Sequence, residues 1–147
     1  MIQKYKELLL KELCARLPYG VKGIRTYRPK EPVTLGEIIP RCKMNPNVGS
    51  DSFCELGFDD TFECCVIEIK PYLFPLSSMS EDQRKYITDR WGINEEFDFE
   101  INPDWGEYFV ELGDIVDFID WLNENHFDYR GLIEKGLAID ATGLNIY

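Results

Sequence analysis

The chain has 147 residues, with 16 Lys and Arg against 27 Asp and Glu, a formal charge of −11 at pH 7. That length suits a single domain, 1–147, able to bury about 70% of its unfolded surface, and 44% hydrophobic with 14% aromatic residues argues against intrinsic disorder. The acidic balance argues against a general nucleic-acid binder and against attraction to an anionic membrane, since both rely on Lys and Arg.

The charge is divided along the chain: residues 1–50 carry a net +6, residues 51–100 carry −9 and residues 101–147 carry −8. Either a basic layer packs beside an acidic one within the molecule, or the acidic half 51–147 faces a basic partner. Leu8, Leu9 and Leu10 are crowded by Glu7, Lys11 and Glu12, which leaves no apolar stretch long enough for an export signal. No window approaches the ~18 apolar residues of a membrane span. The five cysteines (Cys14, Cys42, Cys54, Cys64, Cys65) are an odd number with no C-x-x-C pair. This usage reads as a reduced cytoplasmic protein with mostly buried thiols.

In chain order, residues 2–17 read as an amphipathic helix, with Ile2, Tyr5, Leu9, Leu13 and Leu17 on one stripe and Pro18 and Gly20 as its stop. Four strands follow at 21–27, 33–39, 53–58 and 62–69, each short, β-branched or aromatic and bounded by Pro, Gly, Asn or Asp. Asp59, Asp60 and Thr61 fit a hairpin turn, and 45–52 is the longest irregular stretch of this half. Residues 71–75 are expected to break the sheet with their two prolines. Ser78 or Ser80 then caps a helix to about Trp91, because both Ser78-x-x-Glu81 and Ser80-x-x-Gln83 fit a capping box. Alternation predicts a strand at 95–101, with Phe97 and Phe99 on one face, and another at 108–112. Asp114 is expected to cap a helix to about His126. The predicted class is α+β: a curled antiparallel sheet of about four to six strands with an N-terminal helix and two later helices.

On the last helix, Ile115, Phe118, Ile119 and Leu122 share the core arc, while Asp114, Asp117, Asp120 and Glu124 lie opposite with Trp121 among them. An indole on an acidic face fits a partner-binding surface, given the enrichment of aromatics in interfaces; the alternative is that it tucks under residues 129–133. No Gly-turned calcium loop is present, and no metal or cofactor is expected. His126, the sole histidine, falls at the apolar face near the helix end, where it is a core residue or a cation favoured by the dipole. Asp128, Tyr129 and Arg130 form either a self-satisfied turn with an Asp–Arg pair or, with His126, a candidate ligand site, because Arg presents a planar donor fork. In the basic half, Arg25 and Arg28 with Tyr19 and Tyr27 are candidates for stacking and pairing with a nucleotide-like ligand. There is no G-x-S-x-G, P-loop, H-E-x-x-H or G-x-G-x-x-G motif.

The segments KPYLFPLSSM (70–79), DWLNENHFDYRGLIEKGLA (120–138) and LPYGV (17–21), roughly a quarter of the chain, resemble a family of small uncharacterised proteins of phages, prophages and other mobile elements of Bacteroides-type bacteria. The resemblance implies a cytoplasmic accessory protein and brings no activity or site residues with it. With the residue reading, the expectation is a non-enzymatic accessory factor. It binds a host or phage protein of basic surface through the acidic, aromatic-containing face, without direct contact to nucleic acid or membrane, and homodimer formation stays open. The alternatives are sequestration of a nucleotide-like signal and a small hydrolase using His126 with Asp128.

Overall fold

A computed structural model describes residues 2–40, 54–58, 64–65, 68–94 and 112–147. Helix α1 (Ile2–Arg16) forms as its stripe predicts. Leu9 and Leu13 are buried, Leu8, Leu10 and Leu17 pack at the cluster edge, and Tyr5 stays exposed. Pro18 holds the chain in a 3-10 turn, and Gly20, at φ 63°, turns it into the sheet.

Five strands form an antiparallel ladder in the order β4 (Cys64–Cys65), β3 (Cys54–Phe58), β2 (Arg28–Pro40), β1 (Lys22–Arg25), β5 (Ile69–Pro75). Two short strands, β6 (Phe127–Asp128) and β7 (Ile139–Asp140), join β5 in parallel. The architecture is therefore α+β with the three helices expected, around an open sheet that is mixed rather than wholly antiparallel. The parallel pairs arise because both short strands enter after long excursions of the chain and not through hairpins.

The prolines of 71–75 do not break the sheet; they lie within β5. The Thr26 amide donates to the Glu68 carbonyl at 2.8 Å, and the register then alternates to place Pro71 opposite Gly23 at a non-hydrogen-bonded site of β1. Pro32 likewise faces Ile24 at a non-hydrogen-bonded site, three pairs beyond the bonded Leu35–Val21 pair. Each missing N–H points away from β1, which is where a strand tolerates proline. Between these prolines β1 approaches β5 closely. A Cβ on Gly23 would lie 2.9 Å from Ile69 Cγ1 and Cδ1 and 3.0 Å from the Lys70 carbonyl. Gly23→Ala is expected to destabilise the fold by about 1–3 kcal/mol, read as a lower urea midpoint at unchanged m-value; an unchanged midpoint would mean the two strands can separate freely.

One core cluster joins Leu9 and Leu13 of α1 to Val21, Val33, Leu35, Ile69 and Leu73 of the sheet, and to Leu132 and Ala138. A second joins Met79, Ile87, Trp91, Ile93, Leu122 and Phe127. Helix α2 (Glu81–Trp91) begins at Ser80, whose hydroxyl accepts from the Gln83 amide while the Gln83 side chain accepts from the Ser80 amide. Ser78 instead donates to the Pro75 carbonyl within the preceding 3-10 turn. Helix α3 (Leu112–Glu124) starts earlier than predicted, so Asp114 lies in its first turn and does not cap it. It also ends earlier, because His126 adopts a left-handed backbone at φ 59°. The predicted strand at 95–101, most of that at 108–112, the turn 59–61 and the loop 45–52 fall outside the described residues; Leu112 itself is helical.

Candidate functional site

Helix α3 presents two different surfaces along one side. Asp117, Asp120 and Glu124 are exposed and Asp114 is half-buried. Trp121 is half-buried too, tucked against α2 and Phe127 on the same cluster that Tyr129 packs against. Its ring stacks on Tyr86 at 5.7 Å and on Phe127 at 5.8 Å and meets Trp91 edge-on at 6.2 Å. Trp91 in turn contacts Tyr86 and Phe118. The Arg90 guanidinium lies 5.4 Å from the Trp91 ring centroid and reaches Asp114 at 3.8 Å and Asp117 at 3.6 Å. These ion pairs are solvent-exposed and contribute little to stability. Their value is diagnostic: half of the predicted acidic cluster is shared with a cation of α2, while Asp120 and Glu124 have no ion-pair partner among the described residues.

The other predicted group, Asp128 to Arg130, sits at a buried junction whose main members the sequence reading passed over. Glu12 and Arg16 of α1 are fully buried. Arg16 Nε donates to Glu12 Oε1 at 2.6 Å, and Nη2 pairs with the same oxygen. Nη1 reaches the carbonyls of Leu122 and Asn123 at 3.5 and 3.4 Å, and Nη2 donates to the Phe127 carbonyl. Leu122 and Asn123 belong to the last turn of α3, whose carbonyls have no intrahelical donors, and a cation there also suits the helix dipole. The Asn123 and Phe127 carbonyls also accept from the amides of His126 and Tyr129. Arg130 approaches from outside, with Nε 2.8 Å from Glu12 Oε2, an ion pair out of hydrogen-bond alignment. Both guanidiniums lie over the Tyr129 ring, 5.6 Å from its centroid for Arg16 and 5.2 Å for Arg130, and the Tyr129 hydroxyl donates to Asn123 Oδ1.

Asp128 does not pair with Arg130. Its two carboxylate oxygens accept from the amides of Leu132 and Ile133 at 2.9 and 2.8 Å, which fixes the turn over 131–136, while Lys135 Nζ donates to the carbonyls of Arg130 and Gly131. The expected turn is therefore satisfied through backbone amides, and the arginine is released to α1.

His126 and Tyr147 form a third arrangement. Their rings stack at 3.7 Å and 12°. The Tyr147 hydroxyl accepts from the Lys22 amide at 3.0 Å and donates to the Tyr72 carbonyl at 2.8 Å. One step beyond Gly23↔Pro71, Lys22 and Tyr72 would make the next bonded pair of the ladder. The phenol occupies that place, and Lys22 Nζ holds the Ile146 carbonyl. His126 Nδ1 is buried with no hydrogen-bond partner among the described residues. Burial, reinforced by the nearby Arg16 and Lys22 cations, pushes the imidazole down to about 4; burial pushes the Tyr147 phenol up to about 12. No hydrogen bond joins His126 to Asp128 among the described residues.

Of the basic candidates, Arg25 is buried at 2% exposure, and Tyr27 is exposed. Arg28 lies in β2. Cys14 is exposed on α1. Among the described residues no three His, Cys, Asp or Glu side chains converge on a metal position, and no helix is long and apolar enough to cross a membrane. Comparison with family models, with curated proteins and with solved structures finds no match to this chain.

Glu12 and Arg16 were discoverable. At 100° per residue, Arg16 falls 20° from Leu9 on the predicted stripe and Glu12 falls 60° from it. An i, i+4 Glu–Arg pair on an apolar face is the mark of a buried pair.

Proposed function

We propose that the chain is a non-enzymatic binding protein, an accessory factor of a phage, prophage or mobile element, that takes up a basic protein partner on the face formed by α2 and α3. The observation supporting this reading is the Tyr86–Trp121 stack at the surface, flanked on α3 by the exposed carboxylates of Asp117, Asp120 and Glu124. Aromatic anchors beside the carboxylates of Asp120 and Glu124, which have no ion-pair partner among the described residues, provide both contact area and electrostatic steering. The hydrolase alternative is less well supported, because both oxygens of Asp128 are committed to the backbone of a turn.

Native mass spectrometry of the tagged full chain recovered from a bacterial host lysate tests the reading. The expected result is a retained protein at fixed stoichiometry, bound about tenfold more weakly by an Asp120→Lys/Glu124→Lys variant of unchanged melting temperature. A partner held equally by both chains, or only an adduct of several hundred daltons (about the size of a nucleotide), would overturn it.

A further inference from the structure

We propose that this face is selective for arginine over lysine. A partner guanidinium settles on the exposed side of the Tyr86 ring, with Glu124 and Asp120 supplying carboxylates. The inference rests on the binding reading above and names the chemistry of its partner.

The molecule already contains one copy of this recognition unit. Trp91 carries the Arg90 guanidinium at 5.4 Å, and the same guanidinium is shared between Asp114 and Asp117. Tyr86, Trp91 and Trp121 form one aromatic triangle, with centroid separations of 5.6, 5.7 and 6.2 Å. Trp91 has its cation. Tyr86 is 48% exposed and has no cation over its ring among the described residues. It is backed by Trp121, and Glu124 lies three residues beyond Trp121 on the same side of the helix.

One end of the face is thus an aromatic ring with carboxylates and an arginine in place; the other is an aromatic ring with carboxylates and none. Charge complementarity calls for a cation there. The planar ring calls for guanidinium, which stacks and is weakly hydrated, whereas an ammonium is compact and strongly hydrated.

The test uses the full chain and two synthetic peptides of equal length and charge, one carrying its positive charge on Arg and the other on Lys, titrated by tryptophan fluorescence at low salt. The Arg peptide is expected to bind about five- to tenfold tighter. Tyr86→Leu should abolish that preference, while Asp120→Asn/Glu124→Gln should weaken both peptides alike, with melting temperatures confirming that each variant is folded. Equal affinity for the two peptides in the unmodified chain would overturn the guanidinium assignment and leave the basic-partner reading standing. An Arg preference that survives in Tyr86→Leu would overturn the role of Tyr86. Failure of both peptides to bind would overturn this inference and the binding reading together.

Discussion

Arg16→Met is expected to destabilise the protein by about 3–5 kcal/mol, lowering the melting temperature by an amount on the order of 10 °C. The side chain links the two core clusters, since it leaves α1 from the first and ends on the carbonyls of Leu122, Asn123 and Phe127 beside the second. Its loss strands Glu12 in the interior with only the misaligned Arg130 contact, and it leaves the Leu122 carbonyl at the end of α3 without a donor among the described residues. The two contributions separate in a double variant. If the Glu12–Arg16 pair were the whole effect, replacing both by Leu and Met would restore stability, as removing entire buried ion pairs often does. Here Glu12→Leu/Arg16→Met should remain about 1–3 kcal/mol below the parent, because the buried Leu122 carbonyl loses its donor and the carbonyls of Asn123 and Phe127 keep only the amides of His126 and Tyr129. Urea unfolding of the single and double variants decides this, with Lys4→Met on the exposed face of α1 as the control of no effect. Full recovery in the double variant would reduce Arg16 to a counter-ion, and an unaffected Arg16→Met would remove the junction altogether.

Local signals in the sequence were good guides wherever local forces decide the outcome. The stripe of α1, the Ser80–Gln83 capping box and the β-branched runs at 21–27 and 33–39 each specify their element from within, and α1, α2, β1 and β2 overlap the stretches that those patterns mark. Of the run at 62–69, only Cys64, Cys65 and Ile69 are strand among the described residues. Sequence pattern is a poor guide where a partner segment decides. Two prolines between Lys70 and Leu76 look like a strand break until the register shows that the missing N–H of Pro71 faces away from β1. Trp121 looks like a surface anchor on a helical wheel of α3 alone; α2 supplies the Tyr86 and Trp91 rings that half cover it. The end of α3 was set by the backbone of His126 and not by a glycine, so no stop signal marked it.

The candidate site divides in the same way. The acidic row of Asp114, Asp117, Asp120 and Glu124 is visible at helical spacing, but the pairing of Asp114 and Asp117 with Arg90 requires the placement of α2. Asp128, Tyr129 and Arg130 form the compact group that their adjacency suggests, but the Asp128 carboxylate accepts from the amides of Leu132 and Ile133 and not from the guanidinium. The His126–Tyr147 stack spans 21 positions and depends on segment 141–147 crossing the seam between β1 and β5. Nothing in residue spacing encodes that crossing.

That seam makes stability depend on pH in a defined window. His126 has its pKa lowered from 6.5 to about 4 in the folded protein, so the unfolded chain takes up a proton at a pH where the folded chain resists it. Stability from this residue is therefore complete above about pH 6.5 and is lost as the pH falls from there to about 4, by an amount of up to roughly 3 kcal/mol. The facing groups reinforce the direction: Arg16 from α1 and Lys22 from β1 are both cationic, and the stacked Tyr147 is neutral throughout the window. A protonated imidazole would meet two cations while carrying a buried N–H with no acceptor. His126→Asn is the informative variant, because asparagine tolerates a left-handed backbone and does not titrate. Its stability deficit relative to the parent at pH 7.5 should shrink steadily towards pH 4 in urea unfolding, while the carboxylates that drive general acid unfolding act on both proteins alike. Hydrogen exchange provides a local reading of the same event. The Lys22 amide, held by the Tyr147 hydroxyl, should lose protection in the parent between pH 6.5 and 4, after correction for intrinsic exchange, more steeply than amides of α2. Parallel stability profiles for the two proteins across that window would show that the imidazole is protonated in the fold as easily as outside it, and that the Tyr147 contact does not depend on its charge.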